Sequence, residues 1–146
     1  MSRFNDKYLH TIDQKNRLQP SKETRTGFKL NKGDSVHFLP NPNNPPFLEI
    51  RTKSQWEEYQ KRIMEQPPSA KKRDVQRFIV LMHEKVTADN QGRFIIPQRL
   101  RDFCGLGREV AVINMGTHLE VWDKNSVEQK YNDMLRAFND VNDLLF

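Results

Sequence analysis

The pattern Asp-x-x-x-Arg occurs twice in this 146-residue chain, as DQKNR at residues 13–17 and as DNQGR at residues 89–93. The two copies lie 76 residues apart, and each is followed by an apolar step and a proline. Later segments repeat as well, because LEI at 48–50 is echoed by LEV at 119–121 with an offset of 71. Self-similarity of this kind indicates two copies of one supersecondary unit.

Each copy has the same predicted order of elements. A short strand (KYLHTI or EKVTA) leads into the polar turn, and a return strand (RL or RFIIP) leads out of it. A short helix then opens at a proline and ends near Gly27 or Gly105. A strand pair (VHFL and FLEI, or EVAVI and LEVW) and a longer helix follow. The first long helix is predicted to begin at a capping box of Ser54 and Glu57.

This order predicts an α+β protein with two β-hairpin-rich halves and flanking helices. We expect the first half to span 1–66, a linking helix to span 67–83, and the second half to span 84–146. Because an isolated hairpin is only marginally stable in water, the halves should pair about a pseudo-two-fold axis. Only two residues separate Arg17 from Pro20, whereas three residues separate Arg93 from Pro97. The first return strand is therefore predicted to be one residue shorter, unless a bulge absorbs the difference.

Composition and motifs exclude several classes of protein. The mean hydropathy is −0.85, and the longest apolar run, FIVLM at 78–82, is too short to span a bilayer. The amino-terminal residues lack the apolar core of a signal peptide, and the single Cys104 fits a reducing cytoplasm. The four histidines show no metal-ligand spacing, and neither a phosphate-binding loop nor a nucleophile elbow is present. We therefore predict no metal, no cofactor, no membrane association and no enzymatic activity.

Positive charge follows the repeat. Residues 1–33 carry eight Lys or Arg against three Asp or Glu, and residues 67–108 carry nine against four. The segments between and after them are net acidic, although the whole chain has a net charge of +5. Positive charge clustered around both turns, with Arg25 expected near the first and Arg101 near the second, predicts a polyanionic partner.

Two interpretations of the turns are open. In one, the aspartate caps a hairpin turn and the arginine only pairs with it. In the other, a rigid turn presents the arginine to phosphate or to a guanine edge, because a β-ribbon fits the major groove. The basic surroundings favour a mixed assignment. We assign the turn shape to Asp13, Asp89 and Gly92. We assign DNA contacts to Lys15, Arg17, Arg93, Arg3 and Lys85.

The segments YLHTIDQKNRLQP and VTADNQGRFIIPQRLRDFCGLGREVAVINMGTHLEVW resemble the two halves of the MraZ family of bacterial transcriptional regulators. The resemblance covers roughly residues 3–131 and implies a tandem AbrB-like swapped-hairpin barrel. It implies a cytoplasmic, nucleoid-associated regulator of its own cell-division and cell-wall gene cluster. It also implies a homo-oligomeric, octamer-like ring whose turns track direct repeats in promoter DNA. Arg17 and Arg93 match the family's DNA-contacting arginines, and Lys15 matches its usual lysine, whereas Asn16 replaces its glycine.

The C-terminal helix leaves a second function open. Its apolar residues recur at three- and four-residue steps, namely Val127, Tyr131, Leu135, Phe138, Val141 and Leu145. Such a stripe is typical of core packing or of a subunit contact, not of a cofactor site. The alternative hypothesis is an AbrB-like antitoxin or a protein-interaction scaffold whose acidic C-terminal helix binds a partner.

Overall fold

Six strands form one antiparallel sheet in the computed structural model, which describes residues 4–145. The strands are β1 (Leu9–Thr11), β3 (Ser35–Asn41), β4 (Phe47–Arg51), β5 (Glu84–Thr87), β7 (Glu109–Asn114) and β8 (Leu119–Asp123). Their order across the sheet is β1-β7-β8-β4-β3-β5. Two further strands, β2 (Arg17–Leu18) and β6 (Phe94–Ile95), pair only with each other and form a short ribbon.

Five α-helices accompany the strands. They are α1 (Lys22–Phe28), α2 (Lys53–Met64), α3 (Ala70–Met82), α4 (Gln98–Cys104) and α5 (Lys124–Leu145). The predicted α+β class is therefore confirmed. None of the helices within residues 4–145 is both long and apolar enough to cross a membrane.

The two halves of the chain exchange their first strands. Strand β1 pairs with β7 of the second half, and β5 pairs with β3 of the first half. The halves also meet where β4 pairs with β8, and there Glu49 lies directly opposite Glu120. These two glutamates are 71 residues apart, so equivalent residues face each other as a pseudo-two-fold axis requires.

A closed barrel is not found within the described residues, so that part of the expected fold is not confirmed. The sheet is open, with β1 and β5 at its edges. Next to β1, Ile12 forms an isolated bridge with Leu18 of the ribbon, and the Asp13 N–H donates to the Arg17 carbonyl at 3.0 Å. Because β2 and β6 are two residues long, they offer too few backbone groups to continue the ladder around a barrel.

The sheet separates two layers. On one face, the main core packs the sheet against the ribbon, α1 and α4, through residues such as Phe38, Leu48, Val121, Leu18, Phe94 and Leu100. On the other face, Val127 of α5 packs against Phe47 and Trp122. Trp56 of α2 and Ile79 of α3 cover Leu39 on that same face. The ribbon and the turns that lead into it therefore lie on the side opposite the long helices.

The first return strand is not shortened, contrary to the prediction. Helix α1 is capped by Ser21, whose hydroxyl accepts a hydrogen bond from the Thr24 N–H, and α4 is preceded by Pro97. These two positions are 76 residues apart, so the helices start equivalently and Pro20 lies one residue before the cap. The ribbon keeps a symmetric register, with Leu18 opposite Phe94.

Two helix boundaries also differ from the predictions. Helix α1 continues through Gly27 to Phe28, and its C-cap residue Lys29 adopts the left-handed conformation with φ of 58°. Helix α2 begins at a capping box of Thr52 and Gln55, two residues before the predicted pair. Both pairs fit the capping-box pattern, and Thr52 is used because β4 ends at the residue directly before it.

Candidate nucleic-acid interface

The Asp13 carboxylate holds the first turn together. Its Oδ1 accepts hydrogen bonds from the backbone N–H groups of Lys15 and Arg17, each at 2.9 Å. Its Oδ2 accepts a hydrogen bond from Arg17 Nε at 2.6 Å. The Arg17 backbone N–H, which favours the charged carboxylate, is the main reason that the pKa of Asp13 lies below its ordinary value.

The second turn repeats this geometry. Asp89 Oδ1 accepts from the backbone N–H groups of Gln91 and Arg93, each at 2.9 Å, and Oδ2 accepts from Arg93 Nε at 2.8 Å. The pKa of Asp89 is lowered for the same reason, with the Arg93 backbone N–H as the main cause. We call residues 13–17 and 89–93 the two tips.

A residue in the left-handed conformation precedes each arginine. Asn16 has φ of 62° and Gly92 has φ of 76°. Asparagine tolerates this region better than other side chains, so its replacement of glycine in the first tip keeps the turn type. A Cβ at position 92 would also lie 3.2 Å from Arg25 Nη1, so a side chain there would push on this guanidinium.

The ion pairs fix the position of both arginine side chains. The Arg17 and Arg93 side chains are 25% and 23% exposed, and each guanidinium donates its Nε–H to its own aspartate. Within residues 4–145, that aspartate is the only hydrogen-bond partner of either guanidinium. The terminal N–H groups thus remain as a preorganised planar set of donors, which suits a phosphate or a guanine edge.

Each tip is braced by the other half of the chain. In the first tip, the Asn16 side-chain oxygen accepts from Arg101 Nη1 of α4 at 2.6 Å. The Asn16 carbonyl accepts from the Ile96 N–H at 2.8 Å. At the second tip, Gln19 Nε2 donates to the Gln91 carbonyl at 2.9 Å. The tips, which lie at the two ends of the ribbon, are therefore each held in place by residues of the other half.

The strand exchange places two arginines, Arg25 and Arg101, each beside the tip of the other half. Arg25 was expected near the first tip and Arg101 near the second, but each lies beside the opposite tip. The Arg25 Nε is buried and has no hydrogen-bond partner in the part of the chain that the structure describes. Sequence distance alone could not reveal this arrangement, since β1 and β5 each join the other half's sheet.

The outer face of the ribbon joins the two tips. Leu18 and Phe94 point into the core, so alternation places their strand neighbours on the outer face. These neighbours are Arg17 and Gln19 in the first half and Arg93 and Ile95 in the second. Ile95 is more than half exposed, although it lies between the buried Phe94 and Ile96. Neither Gln19 nor Ile95 is among the predicted DNA contacts, although strand alternation between buried Phe94 and Ile96 points Ile95 outward.

The other predicted DNA contacts are more dispersed. Lys15 is exposed on the first tip, where Gln91 takes its place in the second. Lys85 does not join the tips, because it lies on edge strand β5 opposite His37 and lines a 920 Å³ groove with Trp56. Arg3 lies outside the described residues.

A separate charged cluster lies on the far face of the sheet. Potential metal-ligand atoms of Glu49, His118 and Glu120 lie within 4.8 Å of one another, a spacing that could hold a metal ion. Protein donors already form hydrogen bonds with both carboxylates, however. Glu49 accepts from Arg51 at 2.8 Å, and Glu120 accepts from Trp122 Nε1 at 2.9 Å. Their contacts mark this cluster as a structural network apart from the tips.

Comparison with known proteins points to one family. The family model described as "MraZ protein, putative antitoxin-like" matches residues 80–142, which include the second tip. A "Transcriptional regulator MraZ" of Finegoldia magna is 31% identical over 144 residues, covering 96% of this chain and 94% of the relative. The protein of the same name from Acetivibrio thermocellus is 31% identical over 132 residues, covering 89% and 87%. That from Mycoplasmoides gallisepticum is 29% identical over 145 residues, covering 94% and 98%.

Proposed function

This chain belongs to the MraZ family of transcriptional regulators, and on that premise we propose that it binds double-stranded DNA through its two tips and the outer face of the ribbon between them. The family regulates transcription and is not one of enzymes. One observation carries the proposal: each tip holds an arginine whose Nε is fixed by its own aspartate, while its terminal N–H groups have no hydrogen-bond partner within residues 4–145.

The roles of the residues follow from their geometry. Asp13, Asp89 and Gly92 shape the turns, and Arg17 and Arg93 contact DNA. Lys15 adds an exposed charge to the first tip only. Contacts by Arg3 and Lys85 remain predictions, and Lys85 would reach DNA only where the duplex runs past the edge of the sheet. The long helices α2, α3 and α5 lie on the opposite face of the sheet and stay clear of the duplex.

The tips of one chain form a single short surface, whereas a promoter can offer several sites. We propose that copies of the chain assemble into an octamer-like ring, so that successive pairs of tips meet successive direct repeats. The target would be the promoter of the chain's own cell-division and cell-wall gene cluster. Such a regulator would work in the cytoplasm, associated with the nucleoid.

The strand pairing supports a swapped-hairpin, AbrB-like interpretation of the fold. The first strand of each half adds to the sheet of the other half, and Glu49 faces its equivalent Glu120 at the centre. We infer that residues 1–66 and 84–146 are two copies of one hairpin unit, and that residues 67–83 link them.

A second candidate function is a protein-interaction module of the antitoxin or scaffold type. Its support is the exposed apolar stripe on the distal part of α5, together with the "antitoxin-like" wording of the family description. Neither feature involves the tips, so a partner protein on α5 would be compatible with DNA on the ribbon.

Binding to DNA from upstream of the chain's own gene tests the proposal. A fluorescently labelled duplex is titrated with protein, and its anisotropy is compared with that of a shuffled duplex of equal length and composition. We expect tighter binding to the native duplex and a steep loss of affinity as salt rises. Equal affinity for both duplexes would contradict sequence-specific binding, and a salt-insensitive affinity would contradict binding through the tips.

A further inference from the structure

Helix α5 begins on the sheet and continues well past it. Its 22 residues give a length of about 33 Å, at ~1.5 Å per residue. Near its start, Val127 is buried against Phe47 and Trp122. Between residues 134 and 145 every apolar side chain is exposed, with Phe138 at 66% and Leu144 at 87%. We call residues 134–145 the distal α5 face.

The distal α5 face is also acidic. Asp133, just before it, is neutralised on its own helix by Arg136 at 2.7 Å and Lys130 at 3.7 Å. Asp140 and Asp143 have no cationic partner within residues 4–145, and they flank Val141 and Leu144. The face therefore offers apolar side chains between uncompensated carboxylates.

A second unpartnered apolar surface lies on α3. One side of this helix packs Ile79 against Trp56. The other side leaves Val80 and Leu81 exposed at 79% and 74%. These two side chains line a shallow 440 Å³ groove together with Arg73, Gln76 and Arg77. We call this surface the α3 groove.

The charges of the two surfaces are complementary. Arg73 has no acidic partner in the described chain, and Arg77 pairs only with Asp74 on its own helix. The α3 groove is thus apolar and basic, and the distal α5 face is apolar and acidic. Pairing two distal α5 faces would bring Asp140 and Asp143 of both copies together. Pairing two α3 grooves would oppose arginines in the same way, so like charges disfavour both symmetric contacts.

We infer that the distal α5 face of one copy of this chain docks into the α3 groove of a second copy. The two surfaces belong to different ends of the sheet, since α5 packs on β7 and β8 and α3 packs on β3. Each copy therefore carries one surface of each kind. A head-to-tail contact between unlike surfaces closes into a ring or grows into a filament. The inference rests on the ring proposed above and supplies its joint.

Two single variants test the joint without DNA. Phe138→Asp disables the distal α5 face, and Val80→Asp disables the α3 groove. Both side chains are exposed, so neither replacement disturbs the core. Met115→Asp, on an exposed residue of the β7–β8 turn, is the control. Masses are measured by sedimentation velocity at a concentration where the wild type is assembled.

We expect the control to assemble like the wild type, and each test variant alone to sediment with the mass of one chain. An equimolar mixture of the two test variants should give two-chain particles and nothing larger, because only one intact pair of surfaces remains. Assembly of either variant alone, or a mixture that stays at one chain, would overturn the assigned joint while leaving the ring in place. A wild type of one-chain mass would overturn both the ring and the second copy as occupant, leaving a foreign partner for α5.

Discussion

Arg17 donates from Nε to Asp13 Oδ2 at 2.6 Å, and Arg93 makes the equivalent contact with Asp89 at 2.8 Å. The pairing of these residues and the proposed presentation of the arginine to DNA are therefore parts of one arrangement. The carboxylate consumes one donor of the guanidinium and fixes the direction of the others.

Asp13→Asn should weaken DNA binding even though it removes a negative charge from the tip. An amide can still accept the backbone N–H groups, but it no longer holds the Arg17 guanidinium by an ion pair. Affinity is measured by anisotropy, with Glu58→Gln, which loosens an exposed glutamate–arginine pair on α2 across the sheet, as the matched control. Tighter binding by Asp13→Asn would mean that net charge, not the orientation of Arg17, governs affinity.

Arg101→Ala should destabilise the first tip. It removes donors to the Asn16 side chain at 2.6 Å and to the Leu106 carbonyl at 3.2 Å. Hydrogen bonds from a charged donor contribute roughly 1.5–3 kcal/mol, so we expect the free energy of unfolding to fall by about that amount. Urea denaturation measures it. Arg99→Ala on the same helix, which removes an exposed pair with Glu84, should cost only about 0–1 kcal/mol. Equal losses would show that Arg101 does not brace the tip.

Arg51→Met should be among the most damaging single changes. Arg51 is buried, pairs with Glu49 at 2.8 Å and lies over the Tyr59 ring at 4.0 Å. Its loss leaves Glu49 without its cation and directly opposite Glu120. Breaking a buried pair in this way costs about 3–5 kcal/mol. The double variant Arg51→Met with Glu49→Leu should regain part of the loss, as denaturation of both variants would reveal. A double variant less stable than the single one would contradict the buried-pair account.

Stability should fall in mildly acidic solution because of a histidine pair. His37 Nδ1 lies 2.8 Å from His83 Nε2, and both rings stack on Trp56. Burial is the main cause that lowers the pKa of each histidine below 6.5 in the folded chain. The unfolded chain therefore takes up protons first, so this stability is complete above pH ~6.5 and is lost as the pH falls through the lowered folded-state values.

The thermal midpoint of the wild type should accordingly be lower at pH about 5.5 than at pH about 7.5, values on either side of the ordinary histidine pKa. His83→Gln should reduce this difference, because it removes one of the two half-buried histidines whose pKa is lowered. His10→Gln, on the opposite edge strand of the sheet, is the control and should retain the difference. An unchanged pH dependence in His83→Gln would contradict a role for the pair.

The duplicated pattern predicted much of this architecture. The tips, the strand pairs and the five helices follow from turn residues, alternation and apolar periodicity in the sequence. The pairing partner of each first strand does not follow from these features, because β1 and β5 each have an ordinary amphipathic pattern that could pair with strands of either half. The bracing of the tips depends on that exchange, so Arg25 and Arg101 were assigned to the wrong tips.

Local ambiguity explains the remaining differences. Pro20 and Pro97 look equivalent in sequence, but Ser21 takes the position of Pro97 because a serine hydroxyl caps a helix as well as a proline opens one. The closed barrel was inferred from family resemblance, whereas the length of β2 and β6 is set by where α1 and α4 begin. Ile95 was overlooked because an apolar residue in a strand suggests burial until its two neighbours are known to face the core.

The salt dependence of DNA affinity tests the central claim most directly. On a duplex with one binding site, the slope of log K against log[salt] is measured for wild type, Arg17→Ala, Arg93→Ala and the double variant. Arg62→Ala on α2, on the far side of the sheet, is the control. If each arginine contacts one phosphate, each single change should reduce the slope by about 0.9 and the double change by about 1.8. A double variant with the affinity and slope of the wild type would contradict the assignment of the tips as the DNA-binding surface.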